Sequence, residues 1–261
     1  MIFKYLRSIS LALLFIPSYA SALLEPNIVV LEDVATVEEG VSKISSTLES
    51  QGLDIVLTLD HSANAASVGL ELAPTTVIYA RFSNIVEQAI LRKGQTVAID
   101  LPIKFLVYEN DNEIRLASNA IGYLIDRHTL KTNDILLNKI DRFQDQFAAP
   151  DNGLVTIKSA RSVAETADAI QGTLIATGVF GIPLVINYGE KQKSNRYFYR
   201  KRNSDSILIV FGNPNVGTPL MQAQQTIGID LPQKYLIWKD GLGGVNTVSY
   251  THLTLPTIYS V

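Results

Sequence analysis

The chain has 261 residues, no cysteine and a formal net charge of −3 at pH 7, and 47% of its residues are hydrophobic. The acidic balance argues against nucleic acid or an anionic membrane surface as the main partner. The lack of cysteine excludes disulfide bonds, which a chain of this length does not need because it can bury a large apolar core.

The N-terminal segment has the pattern of a secretory signal peptide. Lys4 and Arg7 precede an apolar run at 11–16, and the small residues Ala20-Ser21-Ala22 follow it. That run is much shorter than the roughly 20 residues that a membrane-spanning helix requires. We therefore expect a signal peptide over 1–22, cleavage after Ala22, no stable membrane insertion afterwards, and a periplasmic or secreted protein.

A repeated block shows that the chain is an internal duplication. Residues 99–106 read Ile-Asp-Leu-Pro-x-Lys-x-Leu, and the same pattern returns 130 residues later at 229–236. A fixed-period repeat is the signature of a duplicated structural unit. The predicted boundaries are a first copy over 23–130, a helical linker and hinge over 131–153, and a second copy over 154–247.

Each copy begins with a short β-rich run, at 28–31 and 154–157, that precedes a helix. Apolar residues recur at intervals of four, three and four along that helix, which places one apolar stripe against a sheet. A hydroxyl residue followed three positions later by glutamate predicts a capping box at each helix start, and a glycine predicts each helix end. These residues are Thr36, Glu39 and Gly52 in the first copy and Ser162, Glu165 and Gly178 in the second.

The remainder of each copy reads as a strand, a variable segment, a second strand, a second helix and two closing strands. The first two of these strands are predicted at 53–59 and 76–80, and in the second copy at 179–186 and 207–211. Helices on one side of a sheet make an α+β unit. The predicted fold is therefore α+β, with two tandem repeats that each pack helices on one face of a mixed β-sheet.

The C-terminal segment has an unusual pattern. Residues 248–257 resemble the translation of a sequencing-library adapter, which predicts that 248–261 is a non-native tail. The alternative is that 248–250 is a native strand, since a strand is due after the turn at 240–244.

Two further blocks carry a resemblance to a known family. The second copy contains Phe211-Gly-Asn-Pro214 ahead of Leu231-Pro232, and the first copy contains Asp60-His61-x-x-x-Ala65. Together these blocks resemble the family catalogued as domain of unknown function 302, over nearly all of the chain after residue 22. The resemblance implies small α+β domains that tend to dimerise, with no established reaction.

Each copy departs from that family pattern in a different half. The first copy has Arg81-Phe82-Ser83-Asn84 in place of Phe-Gly-Asn-Pro, and the second has Asn187-Tyr188 in place of Asp-His. One inference is that duplication replaced a symmetric dimer and left a composite site or a single working pocket. The other inference is that both loops drifted because neither matters. We expect a pseudo-dimer within one chain, and the sequence leaves open whether whole chains also form a homodimer.

The first group of candidate site residues follows a strand, where ligand-binding and catalytic groups are common. It consists of Asp60, His61 and Asn64. An imidazole can act as an acid, a base or a metal ligand. The alternative is that Asp60 caps a helix and leaves His61 exposed in its first turn. No second histidine or cysteine stands at metal-ligand spacing, so we predict no metal and no cofactor.

The second group is Gly212, Asn213, Gly217 and Thr218, in a glycine-containing turn before Pro219. A Thr218 N-cap followed by proline would expose backbone N–H groups that can hold an anion. The alternative is a tight turn in which the glycines only permit positive φ.

Together these features predict an exported protein that binds a small, anionic ligand without catalysing its turnover. The predicted ligand-binding residues are Asp60, His61, Asn64, Gly212, Asn213, Gly217 and Thr218. One alternative is a hydrolase or isomerase with His61 as general base. Another is a structural or assembly module that presents an apolar surface to a protein partner.

Overall fold

The computed structural model describes residues 27–91, 94–119, 127–128, 154–189 and 205–250. The predicted signal peptide, the predicted linker over 131–153 and the chain after residue 250 lie outside the described residues. Across the described ranges, no helix is both long enough and apolar enough to cross a membrane.

The two copies repeat one order of elements. The first copy contains β1 (Asn27–Val30), α1 (Val37–Ser50), β2 (Asp54–Asp60), α2 (His61–Ser67), β3 (Thr75–Arg81), α3 (Asn84–Leu91), a 3₁₀ turn (Gln95–Ile99), β4 (Ile103–Asn110) and β5 (Glu113–Ser118). The second copy contains β6 (Leu154–Ser159), α4 (Val163–Ala176), β7 (Gly181–Asn187), β8 (Ser206–Gly212), α5 (Pro214–Ala223), a 3₁₀ turn (Gln225–Ile229), β9 (Gln233–Lys239) and β10 (Val245–Tyr250). The predicted α+β fold with two repeats is confirmed.

Each sheet has five strands, in the order β1-β5-β4-β3-β2 and β6-β10-β9-β8-β7. Every described strand pair is antiparallel, so the sheets are antiparallel where the sequence suggested mixed ones. The reason is that β1 and β2, which α1 connects, run in the same direction but lie at opposite edges. Three strands separate them, and no parallel ladder forms between them.

The predicted helix caps and terminal glycines are confirmed, but the predicted capping box is complete only in the second copy. The Ser162 side chain accepts from the Glu165 backbone while the Glu165 carboxylate accepts from the Ser162 N–H, which completes a capping box. In the first copy Thr36 caps α1, but the Glu39 carboxylate accepts from the N–H of Ala35 at 2.8 Å. Gly52 and Gly178 follow the two helices with φ of +82° and +68°, values that favour glycine.

The first three residues of the predicted non-native tail lie in β10. Val248, Ser249 and Tyr250 pair with residues 154–156 of β6. The strand that the sequence led us to expect at this position is therefore present, and residues 251–261 lie outside the described residues.

Both faces of each sheet are apolar, and a different part of the molecule packs on each face. On one face α1 packs with buried residues such as Leu48 and Val107, and α4 covers the second sheet in the same way. The other two faces pack against each other in a single cluster that includes Val77, Tyr79 and Leu106 of the first copy and Leu208, Val210 and Leu236 of the second. The two copies therefore share one hydrophobic core.

Candidate functional site

Each copy holds the repeated Ile-Asp-Leu-Pro turn of the other. The Tyr188 hydroxyl of the second copy donates to the Leu101 carbonyl at 3.0 Å, and the Tyr79 hydroxyl of the first copy donates to the Leu231 carbonyl at 3.5 Å. The Leu-Pro bond is cis in both turns. The repeated sequence block is thus the element through which the copies meet.

Buried charges accompany these turns. Lys104 Nζ donates to Asp230 Oδ1 across the two copies at 3.1 Å, and their side chains are only 1% and 9% exposed. A buried ion pair of this kind is costly to break, because each partner would leave an uncompensated charge away from water. The pair therefore couples the copies electrostatically as well as by apolar contact.

The repeat equivalent of Asp230 is Asp100, which has different partners. His128 Nε2 lies 2.6 Å from Asp100 Oδ2, and Arg127 Nη1 lies 3.5 Å from Asp100 Oδ1. The Tyr250 hydroxyl also donates to Asp100. Burial opposes ionisation of Asp100, but the hydrogen bond with His128 and the nearby positive charges outweigh it and hold the pKa of Asp100 well below its usual range.

Lys234, the repeat equivalent of Lys104, is fully buried, and its Nζ atom has no hydrogen-bond partner among the described residues. The Nζ atom lies 5.4 Å from the centroid of the Tyr250 ring. Burial, followed by the positive charge of Lys104, lowers the pKa of Lys234 well below its usual value. Among the described residues, Lys104 thus has a carboxylate partner across the interface, whereas Lys234 Nζ has no hydrogen-bond partner.

The first group of predicted site residues lies at the contact between the copies. Asp60 caps α2, because its Oδ1 accepts from the Ala63 N–H at 2.9 Å, so the capping alternative is confirmed. His61 is only 4% exposed, and the exposed position proposed in that alternative is wrong. The cause is that α2 packs against α5 of the second copy. Asn64 is half-buried on α2.

The His61 ring is held by the second copy. Its Nε2 lies 3.2 Å from the Gly228 carbonyl oxygen, which can only accept, so Nε2 carries the proton. Glycine permits this approach, since a Cβ at position 228 would lie 3.2 Å from Met221 Sδ and 3.5 Å from His61 Cδ2. Burial lowers the pKa of His61 to about 4, against the opposing effects of the Gly228 hydrogen bond and the Asp60 charge.

The second group of predicted residues lies along α5. The predicted N-cap at Thr218 is wrong, because Asn213 caps the helix and Pro214 occupies its first turn, which places Pro219 inside it. Thr218 is buried, and its hydroxyl has no hydrogen-bond partner among the described residues. A Cβ on Gly212 would lie 3.1 Å from Pro232 and one on Gly217 would lie 3.3 Å from Leu231.

Those two glycines do not have positive φ, so the turn alternative is wrong as well. Close packing against the Leu231-Pro232 turn explains them. The structure therefore brings α2 of the first copy against α5 of the second. The contacts described above for Gly212 and Gly217, and the cap made by Asn213, lie within the second copy. Within the described ranges, no group of three or more histidine, aspartate or glutamate side chains is arranged to hold a metal ion.

The two departures from the family pattern face each other across the copies. The Arg81 guanidinium donates to the buried Glu87 carboxylate through Nε at 2.9 Å and Nη2 at 2.5 Å. The same guanidinium lies 5.4 Å from the centroid of the Tyr188 ring. Burial, followed by the Glu87 charge, raises the pKa of Tyr188 well above its usual value. The altered loop of one copy thus packs on the altered residue of the other.

A cleft with a volume of about 610 Å³ opens beside the α2–α5 contact. Its walls come from both copies, namely Ile28, residues 71–73, Tyr108, Asn110 and Arg115 of the first and residues 221–226 of the second. Residues of the second copy's wall hydrogen-bond to the first copy, since Gln222 Nε2 donates to the Glu71 carbonyl at 2.6 Å and Gln225 Nε2 donates to Thr75 Oγ1 at 2.7 Å. None of the predicted site residues is among those that line the cleft.

The architecture described above agrees with a family match. The model of the family described as "Domain of unknown function DUF302" matches residues 29–147 and 155–255, one segment in each copy. The chain belongs to the DUF302 family. A crystal structure of an uncharacterized conserved DUF302 protein from Bacillus stearothermophilus is similar, with a TM-score of 0.32 and 16% identity, over 38% of this chain and 73% of that chain.

Curated relatives of this DUF302 chain include proteins named as channels. The chain is 33% identical over 128 residues to "Fluoride-specific ion channel FluC 1" from Brucella suis biovar 1 (strain 1330), covering 49% of this chain and 48% of that protein. It is also 33% identical over 128 residues to "Fluoride-specific ion channel FluC 1" from Brucella abortus biovar 1 (strain 9-941), covering 49% and 46%. The chain therefore spans about half the length of the curated relatives it matches.

Sequence reasoning missed the buried lysines of this DUF302 protein, although a signal was present. Lys104 and Lys234 occupy the same position of the repeat, and each stands two residues before a leucine in a strand. Because side chains on a strand alternate between faces, that spacing places each lysine on the same face as an apolar residue. The cleft residue Arg115 had no comparable signal, because it belongs to no motif.

The burial of His61 predicts a pH dependence. Its pKa of about 4 in the folded DUF302 chain lies below the ordinary value of 6.5, so protonation favours the unfolded chain. The contribution of neutral His61 to the free energy of unfolding is fully present above pH 6.5. As the pH falls from 6.5 toward 4, the free energy of unfolding decreases by about 1.4 kcal/mol per pH unit. A proton NMR titration follows the pKa of each histidine ring. The histidine resonance that is missing from the spectrum of His61→Gln should be the one with the low pKa. A His61 midpoint near 6.5 would contradict this prediction.

Proposed function

We propose that the two copies form one binding unit, which takes a small anionic molecule in the cleft between them and does not catalyse its turnover. The observation that carries this proposal is the cleft itself, whose volume of about 610 Å³ lies in the range of small-molecule sites. Because both copies contribute walls, the site exists only when they pack together. Duplication within one chain would keep that arrangement permanent.

Arg115 supports an anionic ligand. Its side chain is 26% exposed, bonds the Glu113 carboxylate at 2.9 Å and lies 3.7 Å from the Asp111 carboxylate, so these two groups take up part of its charge. The guanidinium has five N–H donors, so it can hold one carboxylate and still present donors to another group. The nearby apolar side chains of Leu72 and Met221 would take a carbon skeleton. A small organic acid with an apolar portion fits this lining best.

The environment of His61 supports binding without catalysis. An accessible general base requires a histidine that can reach substrate and titrates near neutral pH. His61 is instead buried, bonded to Gly228, and shifted to a pKa of about 4. These properties favour a structural role at the contact between the copies over the role of general base.

Ligand binding is tested by thermal unfolding and calorimetric titration of the full chain against small carboxylates, phosphate, sulfate and fluoride. A ligand of the native state raises the melting temperature by mass action. We expect Arg115→Gln to weaken carboxylate binding at least about tenfold, which is the effect of losing one charge-assisted contact. The matched control is Arg161→Gln, which removes an exposed arginine away from the cleft.

Two results would overturn the cleft proposal. One is that no compound raises the melting temperature of the full chain. The other is a carboxylate response that is equally strong in Arg115→Gln, Arg161→Gln and the unchanged chain, because such a response would come from another surface.

The named relatives favour a second candidate function, a module that accompanies fluoride transport. A channel requires spanning helices of about 20 residues, and the described part of this chain has none that could span a membrane. The shared 128 residues therefore support a role beside a channel rather than as its pore. A strain that lacks this chain should grow less well in fluoride than its parent. Equal growth at every fluoride concentration would contradict this role.

We also propose that residues 1–22 direct export, on the basis of the charged, apolar and small-residue pattern at the N-terminus. Mass spectrometry of the protein recovered from a bacterial periplasm should give a mature N-terminus at Leu23. Recovery of the unprocessed chain from the cytoplasm would contradict export.

A further inference from the structure

We propose that the Lys234 ammonium group holds one monatomic anion of the halide class between the two copies. This site is separate from the cleft, because Lys234 is not among the residues that line it. It does not depend on the cleft being a binding site.

The first argument comes from the repeat. Lys104 bonds Asp230 of the other copy, and repeat symmetry would pair Lys234 with Asp100 in the same way. The Asp100 oxygens, however, already bond His128 and Arg127. Tyr250 also bonds Asp100 but lies in the segment assigned to a non-native tail, and His128 and Arg127 hold the carboxylate without it. The lysine is thereby separated from its symmetry-related partner.

The second argument comes from the Lys234 side chain. It is fully buried, and its Nζ atom has no hydrogen-bond partner among the described residues. Buried polar groups almost always have a partner, and an ammonium group offers three donors. A ligand that accepts hydrogen bonds and carries negative charge would satisfy the group.

The third argument is charge balance. The buried cluster contains the cations Lys104, Lys234 and Arg127 and the carboxylates Asp100 and Asp230. When Lys234 is protonated, these five groups together carry one more positive than negative charge. A single monovalent anion neutralises it, and buried charges require such compensation.

The close packing around Lys234 favours a small anion. Lys234 has no exposed surface, so a bound anion must displace packed side chains. The flexible four-carbon stem of lysine can withdraw more readily for one atom than for a tetrahedral oxyanion. We therefore expect a halide rather than sulfate or phosphate at this position.

Binding at this site should take up a proton. The groups that act on Lys234 are Lys104 and Arg127, which oppose its protonation, Asp100 and Asp230, which favour it, and the Tyr250 ring. Burial disfavours the ammonium form of Lys234, whereas a bound halide favours it. Halide affinity should thus fall about tenfold per pH unit above the pKa of the empty site.

The test compares sodium fluoride and sodium chloride with sodium sulfate at equal ionic strength, using the full chain. We expect a halide, but not sulfate, to raise the melting temperature. Calorimetry in two buffers of different ionisation enthalpy should show that protons are taken up when a halide binds. Lys234→Met should lose the halide response, whereas Lys239→Met, an exposed lysine on the same strand, should keep it.

Two outcomes would overturn the proposal, namely an equal response to sulfate and halide, or a halide response that survives Lys234→Met. The proton uptake of the unchanged chain is a second readout that needs no variant, and its absence would also overturn it. Arg115→Gln separates the two sites, because it should weaken carboxylate binding in the cleft and leave the halide response intact.

Discussion

Lys104→Met is expected to lower the free energy of unfolding by about 3–5 kcal/mol, because it removes one partner of a buried ion pair. Lys104 and Asp230 are almost inaccessible to solvent and lie 3.1 Å apart across the two copies. Methionine fills nearly the same volume, so the expected loss reflects the removal of one charge from a buried ion pair rather than a cavity. Urea denaturation of the variant and the unchanged chain measures the effect.

Two controls make this prediction specific. Lys104→Met combined with Asp230→Leu should recover most of the stability, since both members of the pair are then replaced by apolar side chains. Lys239→Met repeats the substitution at an exposed position of β9 and should leave the midpoint unchanged. A Lys104→Met midpoint equal to that of Lys239→Met would show that the cross-copy pair contributes nothing to stability.

Leu106→Ala is expected to lower the free energy of unfolding by about 2–5 kcal/mol, through lost apolar burial and the cavity it leaves. Leu106 is fully buried in the cluster that both copies share, and its Cδ1 would lie 3.1 Å from a Cβ at position 228. Leu242→Ala is the matched control, because Leu242 is completely exposed. A loss as small as that of the control would mean that the copies do not share a core in solution.

Local sequence patterns predicted much of the fold. The capping residues Ser162 and Glu165 and the terminal glycines Gly52 and Gly178 act within one helical turn, and all of them occur where expected. The duplication was visible because identical residues recur at a constant spacing. The antiparallel pairing was not, because strand order depends on contacts between segments far apart in sequence.

The Thr218 prediction failed for a local reason. Asn213-Pro214 and Thr218-Pro219 both offer a polar cap followed by proline, and the helix begins at the earlier pair. Sequence alone did not rank the two starts, because the packing of Gly212 and Gly217 against the Leu231-Pro232 turn contributes to the choice.

The chemistry at the interface was the least predictable part. The sequence suggested an exposed His61 in the first turn of a helix, whereas in the structure α2 packs against α5 of the second copy and His61 is buried. Lys104 likewise meets its partner Asp230 only when the two sheets face each other. The surroundings of such residues depend on how the two copies pack together. A period-2 pattern in the sequence predicts which face of a strand a side chain occupies, but not which residues lie opposite it.

The central claim is that the two copies fold as one unit, with the candidate sites made between them. The most direct test uses Val107→Ala, which removes apolar contacts on the α1 side of the first copy, and follows Trp238, the single tryptophan, in the second. Urea unfolding monitored by Trp238 fluorescence and by far-UV circular dichroism should give one coincident transition. We predict that Val107→Ala shifts both signals to the same lower midpoint. An unchanged Trp238 midpoint, with only the dichroism shifted, would show that the copies unfold independently and would contradict the account.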